Sequence, residues 1–493
     1  MKKNLIIAFF IVMHALNSSA TKNNLDKKVK DFDDIVFNWS GTFAEVLGIA
    51  GKKHYEIPNP EKCMIHSINT FLHCLDPHSS FLDPKTYKSI LEKTSGQFFG
   101  IGIVINSTRS TKDKFLHVIN TVSGGPADKA GIKQYDKIIE IEGKQLEGMT
   151  TEEATSKLRG DKNTKVHIKI IREKEKAPLS FDIVRDVIKE PSSLAFYIKQ
   201  HNIYYVSLAT FSKNSVKQIR NILEKSNEKK YKGIILDLRN NSGGLLSAVI
   251  DIAGLFLKKD SLIVITKDRN NKKITEYKTK HQPVTNINIP IFILVNNYTA
   301  SASEILAGGL KIHSKQQTKK SHTKDQNLMV FIVGTNTFGK GSVQEIIPLE
   351  NNCAIKLTTS LYFLPDNTTI QGTGIEPDFL VQRLFPPSEK VAWFLEHYGR
   401  EKSLKHSIKP NKEEKEKENE KKERKKEPKS WEERVKDTLS KDNQFLETIK
   451  LINLLDICKQ KFPESCNNRD DAVKFIIDTF GLNKTVELET IKI

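Results

Sequence analysis

Lys232-Gly233-Ile234-Ile235-Leu236-Asp237-Leu238 leads through Asn240-Asn241-Ser242-Gly243-Gly244 into an apolar helix expected from Leu245 to Leu257. A short continuous apolar run bounded by turn residues is the pattern of a strand buried on both faces. The same pattern recurs at Ile289 to Val295. Before the first strand come a strand at Tyr204 to Leu208 and a helix that Ser212 caps and that runs to about Ser226. Strands alternating with amphipathic helices between Leu179 and Asp378 predict an α/β core covered on both faces.

Two of these strand ends carry chemistry. Tyr298-Thr299-Ala300-Ser301-Ala302-Ser303-Glu304 follows the second buried strand, and Thr337-Phe338-Gly339-Lys340-Gly341-Ser342-Val343-Gln344 follows the strand Val330 to Gly334. Serine becomes a nucleophile when a base removes its proton, and lysine can be that base when burial keeps its amine neutral. Ser301 lies between two alanines at a helix start, where backbone N–H groups can stabilise an oxyanion, and Gly243-Gly244 offers a second donor. Taken singly, each piece has a plainer reading: an N-cap at Ser301 or Ser303, a Gly-Lys-Gly turn, a helix start. Their co-occurrence at strand ends favours the chemistry.

At 493 residues and 38% apolar content, the chain is long enough for two to four domains with hydrophobic cores. Lys2 and Lys3, the apolar run Leu5 to Leu16 broken by His14, and Asn17-Ser18-Ser19-Ala20 read as a secretory signal. Its alternative is an uncleaved membrane anchor, and both place the protein outside the cytoplasmic membrane, in the periplasm. The formal charge of +18 is spread through Lys-rich segments without arginines interleaved with aromatics. This argues against nucleic acid and leaves peripheral contact with anionic lipid open. Among the five cysteines, Cys63 with Cys74 and Cys458 with Cys466 are candidate pairs, with five separate thiols as the alternative; no spacing suggests a metal.

Helical spacing dominates from Thr21 to Leu91, interrupted by the shaped loop Leu75-Asp76-Pro77-His78-Ser79-Ser80-Phe81-Leu82-Asp83-Pro84. A β-rich unit follows, opened by Phe98-Phe99-Gly100-Ile101-Gly102-Ile103 and marked by Gly124-Gly125-Pro126-Ala127, Ala130-Gly131-Ile132 and Asp136-Lys137-Ile138; the strand Lys165 to Ile171 is expected to close it. This unit resembles a PDZ domain in the circularly permuted order of bacterial proteases, which binds an extended peptide tail as an added strand. After residue 400, alternating Lys and Glu read as a solvated tether, and helical periodicity returns at Phe445. The segments are thus a signal peptide (1–20), a helical region (21–94), the PDZ-like unit (95–175), the α/β core (176–395), a charged tether (396–441) and a C-terminal helical unit (442–493).

Asp237 to Gly244, Ala300 to Glu304, Thr337 to Gln344 and Gly372-Thr373-Gly374-Ile375-Glu376-Pro377-Asp378, with the Leu75 to Phe81 loop and the PDZ-like unit, resemble the C-terminal processing (tail-specific) proteases of the Ser–Lys type. The resemblance implies a multidomain α+β chain with the PDZ domain inserted ahead of an α/β, ClpP/crotonase-like protease core and with helical units at both ends. It implies Ser301 as nucleophile, Lys340 as general base and Gln344 as the residue that orients it. Ala302, Gly243 and Gly244 fall at the oxyanion donors. Phe98, Phe99, Gly100, Ile101, Gly102 and Ile103 fall at the carboxylate-binding segment, and Arg159 at an arginine that couples tail binding to activation. The implied partners are proteins with exposed apolar C-terminal tails and a second copy of the chain, and no cofactor is implied. Three departures stand out: a polar stretch from His313 to Asn327 that reads as a surface loop insertion, Ile312 at a usually acidic position, and Thr335 in place of a common Glu. They motivate the alternative of a catalytically silent tail-binding scaffold; an acyl-CoA-processing enzyme would leave the PDZ-like unit unexplained.

Overall fold

The computed structural model describes residues 21–56, 59–95, 97–105, 115–122, 124–173, 175–189, 192–226, 231–284, 289–320, 328–384, 438–466 and 468–480. The expected signal, residues 396–437 of the tether and residues 321–327 of the expected insertion lie outside this set. No described helix is long and apolar enough to cross a membrane. The chain divides into two compact units, Met1–Phe81 and Leu82–Ile493.

The first unit is helical. Helix α1 spans Thr21–Lys53 and α2 spans Pro60–Leu75, started by the side chain of Asn59 accepting from Lys62 N–H and by proline at the first turn. Phe32, Ile35, Trp39, Val46 and Ile49 follow a 3–4 spacing along α1, and all are at least half exposed. The loop after α2 is shaped by Asp76, whose carboxylate accepts from His78 N–H, Ser79 N–H and Ser79 Oγ–H. The short strand β1 (Ser80–Leu82) follows.

In the second unit, α3 (Pro84–Ser95) precedes the PDZ-like unit, built from β2 (Gln97–Gly100), β3 (Ile103–Ile105), β4 (Leu116–Thr121), α4 (Pro126–Ala130), β5 (Lys137–Ile141), β6 (Lys144–Gln145), α5 (Thr151–Leu158), β7 (Lys165–Ile171), β8 (Leu179–Val184) and β9 (Asp186–Lys189). Its sheet runs β3-β4-β5-β7-β8, with β6 on β5, and β2 pairs with β9. Leu116, Val118, Ile138, Leu146, Val166, Ile168 and Ile170 form its core. The expected closing strand, Lys165 to Ile171, is β7, and the sheet continues beyond it. Strand β8 pairs with β7 from Lys165 to Ile170, and β9 returns to β2, so the unit extends to about Lys189. On β8, Ile183 is buried and Leu179 and Phe181 are partly buried against the same core, an alternation that Leu179-Ser180-Phe181-Asp182-Ile183 already carries in the sequence.

The remainder comprises β10 (Ser193–Ile198), β11 (Ile203–Leu208), α6 (Lys213–Ser226), β12 (Gly233–Asp237), α7 (Leu246–Ala253), β13 (Leu262–Lys267), β14 (Lys273–Lys278), β15 (Ile291–Val295), α8 (Ala302–Lys320), β16 (Val330–Gly334), β17 (Ser342–Pro348), β18 (Ala354–Phe363), β19 (Phe379–Leu380), α9 (Asn443–Lys461) and α10 (Arg469–Phe480). The central sheet has the order β10-β11-β12-β15-β16-β19, parallel from β11 to β19. Strands β14, β13, β18 and β17 form an antiparallel sheet beside it.

Alternation along the buried strands sorts side chains between two cores. Ile234, Leu236, Ile291, Ile293, Val295, Val330 and Ile332 pack with α6, α7 and α8. Ile235, Phe292, Leu294, Phe331, Val333 and Phe379 pack instead with Phe445, Ile449, Ile452, Leu455 and Ile476 of α9 and α10. The C-terminal helices thus cover the second face of the central sheet.

Two further expectations change. The stretch from His313 does not start a surface loop, because α8 continues to Lys320; a ring nitrogen of His313 bonds Leu262 O, and buried Ser314 donates to Leu328 O. All five cysteines are free thiols, with Cys458 and Cys466 buried in the second core.

Candidate active site

Three turns at the carboxyl ends of β12, β15 and β16 converge, at the edge where open α/β sheets place their ligands. The first, Asp237 to Gly244, is fixed by its own side chains. Asn240 and Asn296 exchange hydrogen bonds, Asn241 Nδ2 donates to Leu208 O, and Gly243 N–H donates to Asn241 Oδ1. Glycine is required at 244, where φ is +147° and a Cβ would lie 2.1 Å from Phe211 O.

The second turn carries Ser301, which has φ +55°, a left-handed conformation that costs a non-glycine residue about 1–3 kcal/mol. The neighbours over-determine it. Ala300 N–H and Ser303 Oγ–H both donate to Asn241 O, Ser301 N–H donates to Glu304 Oε2, and Ile305 N–H donates to Ser301 O. Ser303 is thus no helix cap; it ties α8 to the first turn. The Ser301 hydroxyl makes no hydrogen bond among the described residues, and Ala302 N–H is likewise unengaged there. Gly243 packs directly on this turn, with a Cβ position 3.0 Å from both Ala302 N and Ser301 Cβ.

The third turn carries Lys340, and Glu304 draws it to the second. This fully buried carboxylate accepts from Thr337 Oγ–H at 2.5 Å and Gly339 N–H at 2.7 Å through Oε1. Through Oε2 it accepts from Ser301 N–H at 2.8 Å and Lys340 N–H at 2.9 Å. One oxygen therefore holds both backbones within two hydrogen-bond lengths of each other. From below, Gly372 to Ile375 cradle the lysine loop: Gly372 N–H donates to Gly339 O, and Ile375 N–H donates to Thr337 Oγ1. Gln344 Nε2 donates to Ser342 Oγ and Thr358 Oγ1. Beside these turns opens a cavity of about 550 Å³, lined among others by Asn240, Asn296, Tyr298, Thr335, Asn336 and Arg383. Tyr298 and Phe338 are both more than half exposed.

The model of peptidase family S41 matches residues 202–381, spanning all three turns, and that of the PDZ domain matches residues 88–171. A carboxy-terminal-processing protease of Bartonella bacilliformis is 36% identical over 352 residues, 71% of this chain and 76% of that one. The carboxyl-terminal-processing protease of Synechocystis is 34% identical, covering 64% and 70%. The carboxy-terminal processing protease CtpA of Bacillus subtilis is 31% identical, covering 76% and 77%. The chain belongs to peptidase family S41.

As an S41 protease with a PDZ domain, the chain is a serine-type peptidase that acts on the C-terminal regions of proteins. Its PDZ groove is a cavity of about 70 Å³ lined by Gly100, Ile101, Gly102, Ile103, Ile105, Thr155, Leu158 and Arg159. Seven of the expected site residues thus fall in this unit and not in the three turns, and four of them, Gly100 to Ile103, meet a fifth, Arg159, in the groove. Phe98 and Phe99 lie instead on β2, paired with Ile188 and Val187 of β9. Gly102 has φ +74°, and a Cβ there would press on Ile188. Arg159 faces Glu92 at 3.6 Å. Ile312 is buried in the first core, so its position in this S41 chain serves packing. The residue that sequence reading gave no role is Glu304, quoted only as the end of the serine stretch. Its signal is the three-residue spacing from Ser301, half of a capping box.

Proposed function

We propose that this chain is an exported endopeptidase that binds apolar C-terminal tails in its PDZ groove and cleaves them with a Ser301–Lys340 dyad. The observation that carries the reading is the Glu304 carboxylate, which fixes the serine and lysine backbones side by side. Neutral Lys340 takes the hydroxyl proton as Ser301 Oγ attacks the scissile carbonyl carbon. The oxyanion receives N–H donors from Ala302 and Gly244, since Gly243 N–H is engaged by Asn241. The amine leaves with the proton from Lys340, and water, activated by the same lysine, hydrolyses the acyl-enzyme. Gln344 orients the lysine, and Arg159 links tail binding to the core. The signal segment directs the chain to the periplasm, where the basic surface contacts anionic lipid, and the exposed 3–4 stripe of α1 pairs two copies.

The test is cleavage of a protein bearing an exposed apolar tail by the parent, Ser301→Ala and Lys340→Ala. Both variants are expected to lose at least 10³-fold in kcat. Equal cleavage by all three overturns the dyad; tail binding without turnover by the parent supports the silent scaffold.

A further inference from the structure

The two C-terminal helices do more than cover a sheet face: each begins with a charged residue, Asp442 reaching the turn after β12 and Arg469 reaching β16 and the Gly372-to-Asp378 motif. Asp442 starts α9 and accepts from Phe445 N–H. Its other oxygen receives Arg239 Nη1 at 2.7 Å, and Gln444 Oε1 takes the same nitrogen at 3.1 Å. Arg239 is also held by both oxygens of Asp237, and Tyr205 O–H donates to that carboxylate at 2.9 Å. Burial pulls the Arg239 pKa down, but the carboxylates of Asp237 and Asp442 more than offset this and hold it above its ordinary value. Arg239 is the residue immediately before Asn240, whose backbone begins the glycine turn.

Arg469 starts α10 and is almost wholly buried. Its Nε donates to Val330 O at 2.8 Å, and its guanidinium pairs with Asp378. Asp378 also receives Lys311 Nζ from α8 at 2.9 Å and Ile332 N–H at 2.8 Å. Asp378 ends the Gly372-to-Asp378 motif whose other end cradles the lysine loop. One network thus reaches the oxyanion turn, and the other reaches the serine helix through Lys311 and strand β16, which leads into the lysine loop, through Val330 and Ile332.

We propose that Asp442 and Arg469 are positioning residues for the reaction: Asp442 sets the oxyanion turn through Arg239, and Arg469 sets the lysine loop through Asp378. The proposal rests on the dyad reading above. Misplaced oxyanion donors weaken only the transition state, so the loss falls on kcat and not on KM. A role confined to holding the fold would instead lower the fraction of competent sites.

The experiment uses the full chain, a protein with an exposed apolar tail as substrate, and a fluorophosphonate probe to count reactive serines. Per titrated site, Asp442→Asn and Arg469→Lys are expected to lower kcat about tenfold with KM within about twofold. Asp442→Glu is expected to recover most of the loss, and Lys450→Ala, on an exposed pair of α9, to match the parent. Should Asp442→Asn fail to fold, Gln444→Met, which removes the longer limb of the fork together with the bond from Gln444 Nε2 to Val381 O, is expected to give about a threefold drop. Unchanged kcat per titrated site in the folded variants overturns the proposal while leaving the dyad intact. A parent that neither cleaves nor labels, or a Ser301→Ala variant that cleaves like the parent, overturns the dyad reading itself.

Discussion

At Ser301 the backbone and the proposed chemistry make opposite demands. Its left-handed conformation is one that glycine adopts freely and serine does not. Ser301→Gly is therefore expected to be inactive yet more stable than Ser301→Ala by about 1 kcal/mol, as read from denaturant midpoints of the two variants. Equal stabilities would show that the turn is unstrained. The turn that carries this serine was legible from its small residues and its place after a strand. Glu304 was not, because a glutamate in a first helical turn is ordinary in sequence. Its importance comes from Thr337, Gly339 and Lys340, more than thirty residues away, and such contacts leave no mark in local spacing.

Elements, too, were legible where their own residues decide them. Strands β12 and β15 are continuous apolar runs, and α5 opens with the reciprocal capping box of Thr150 and Glu153. The continuation of α8 was missed, since its tertiary partners, not its composition, define it; β8 was missed although Leu179, Phe181 and Ile183 alternate with polar residues along it. The end of α5 shows how tertiary contacts set a local rule. Arg185, nearly buried, donates to Lys157 O, Leu158 O, Lys165 O and Thr164 Oγ1, closing the helix beside the PDZ groove. Gly160 lies against that guanidinium, and a Cβ there would stand 2.8 Å from Arg185 Nε. With four hydrogen bonds the guanidinium cannot step aside. Gly160→Ala is expected to destabilise the protein by about 1–3 kcal/mol and to weaken tail binding, measured by denaturation and by titration with a tail peptide.

On the scale of the whole molecule, pH tests the buried ion network that joins α8, α10 and β19. Burial raises the Asp378 pKa, but the charges of Arg469 and Lys311 outweigh it and hold the carboxyl below its ordinary 3.8. The stabilisation is fully present above 3.8. Below about pH 4 the unfolded chain takes up the proton first, so stability falls as pH drops toward the lowered folded value. Denaturant unfolding between pH 7 and 2 is expected to show this loss, with a shallower slope in Asp378→Asn; an equal slope would remove the network from the acid response. At the alkaline end, burial pushes the Cys466 thiol up to about 12, so between pH 9 and that value the unfolded chain loses its proton first and stability declines.

The second core has an order in time as well as in space. Phe292, Phe331 and Phe379 are made before any residue of α9 or α10 that will cover them. At about 5–20 residues per second, the stretch from Phe379 to Ile476 takes roughly 5–20 seconds to synthesise. For that interval this face lacks α9 and α10, which cover it among the described residues, so the second core is complete only after both have emerged.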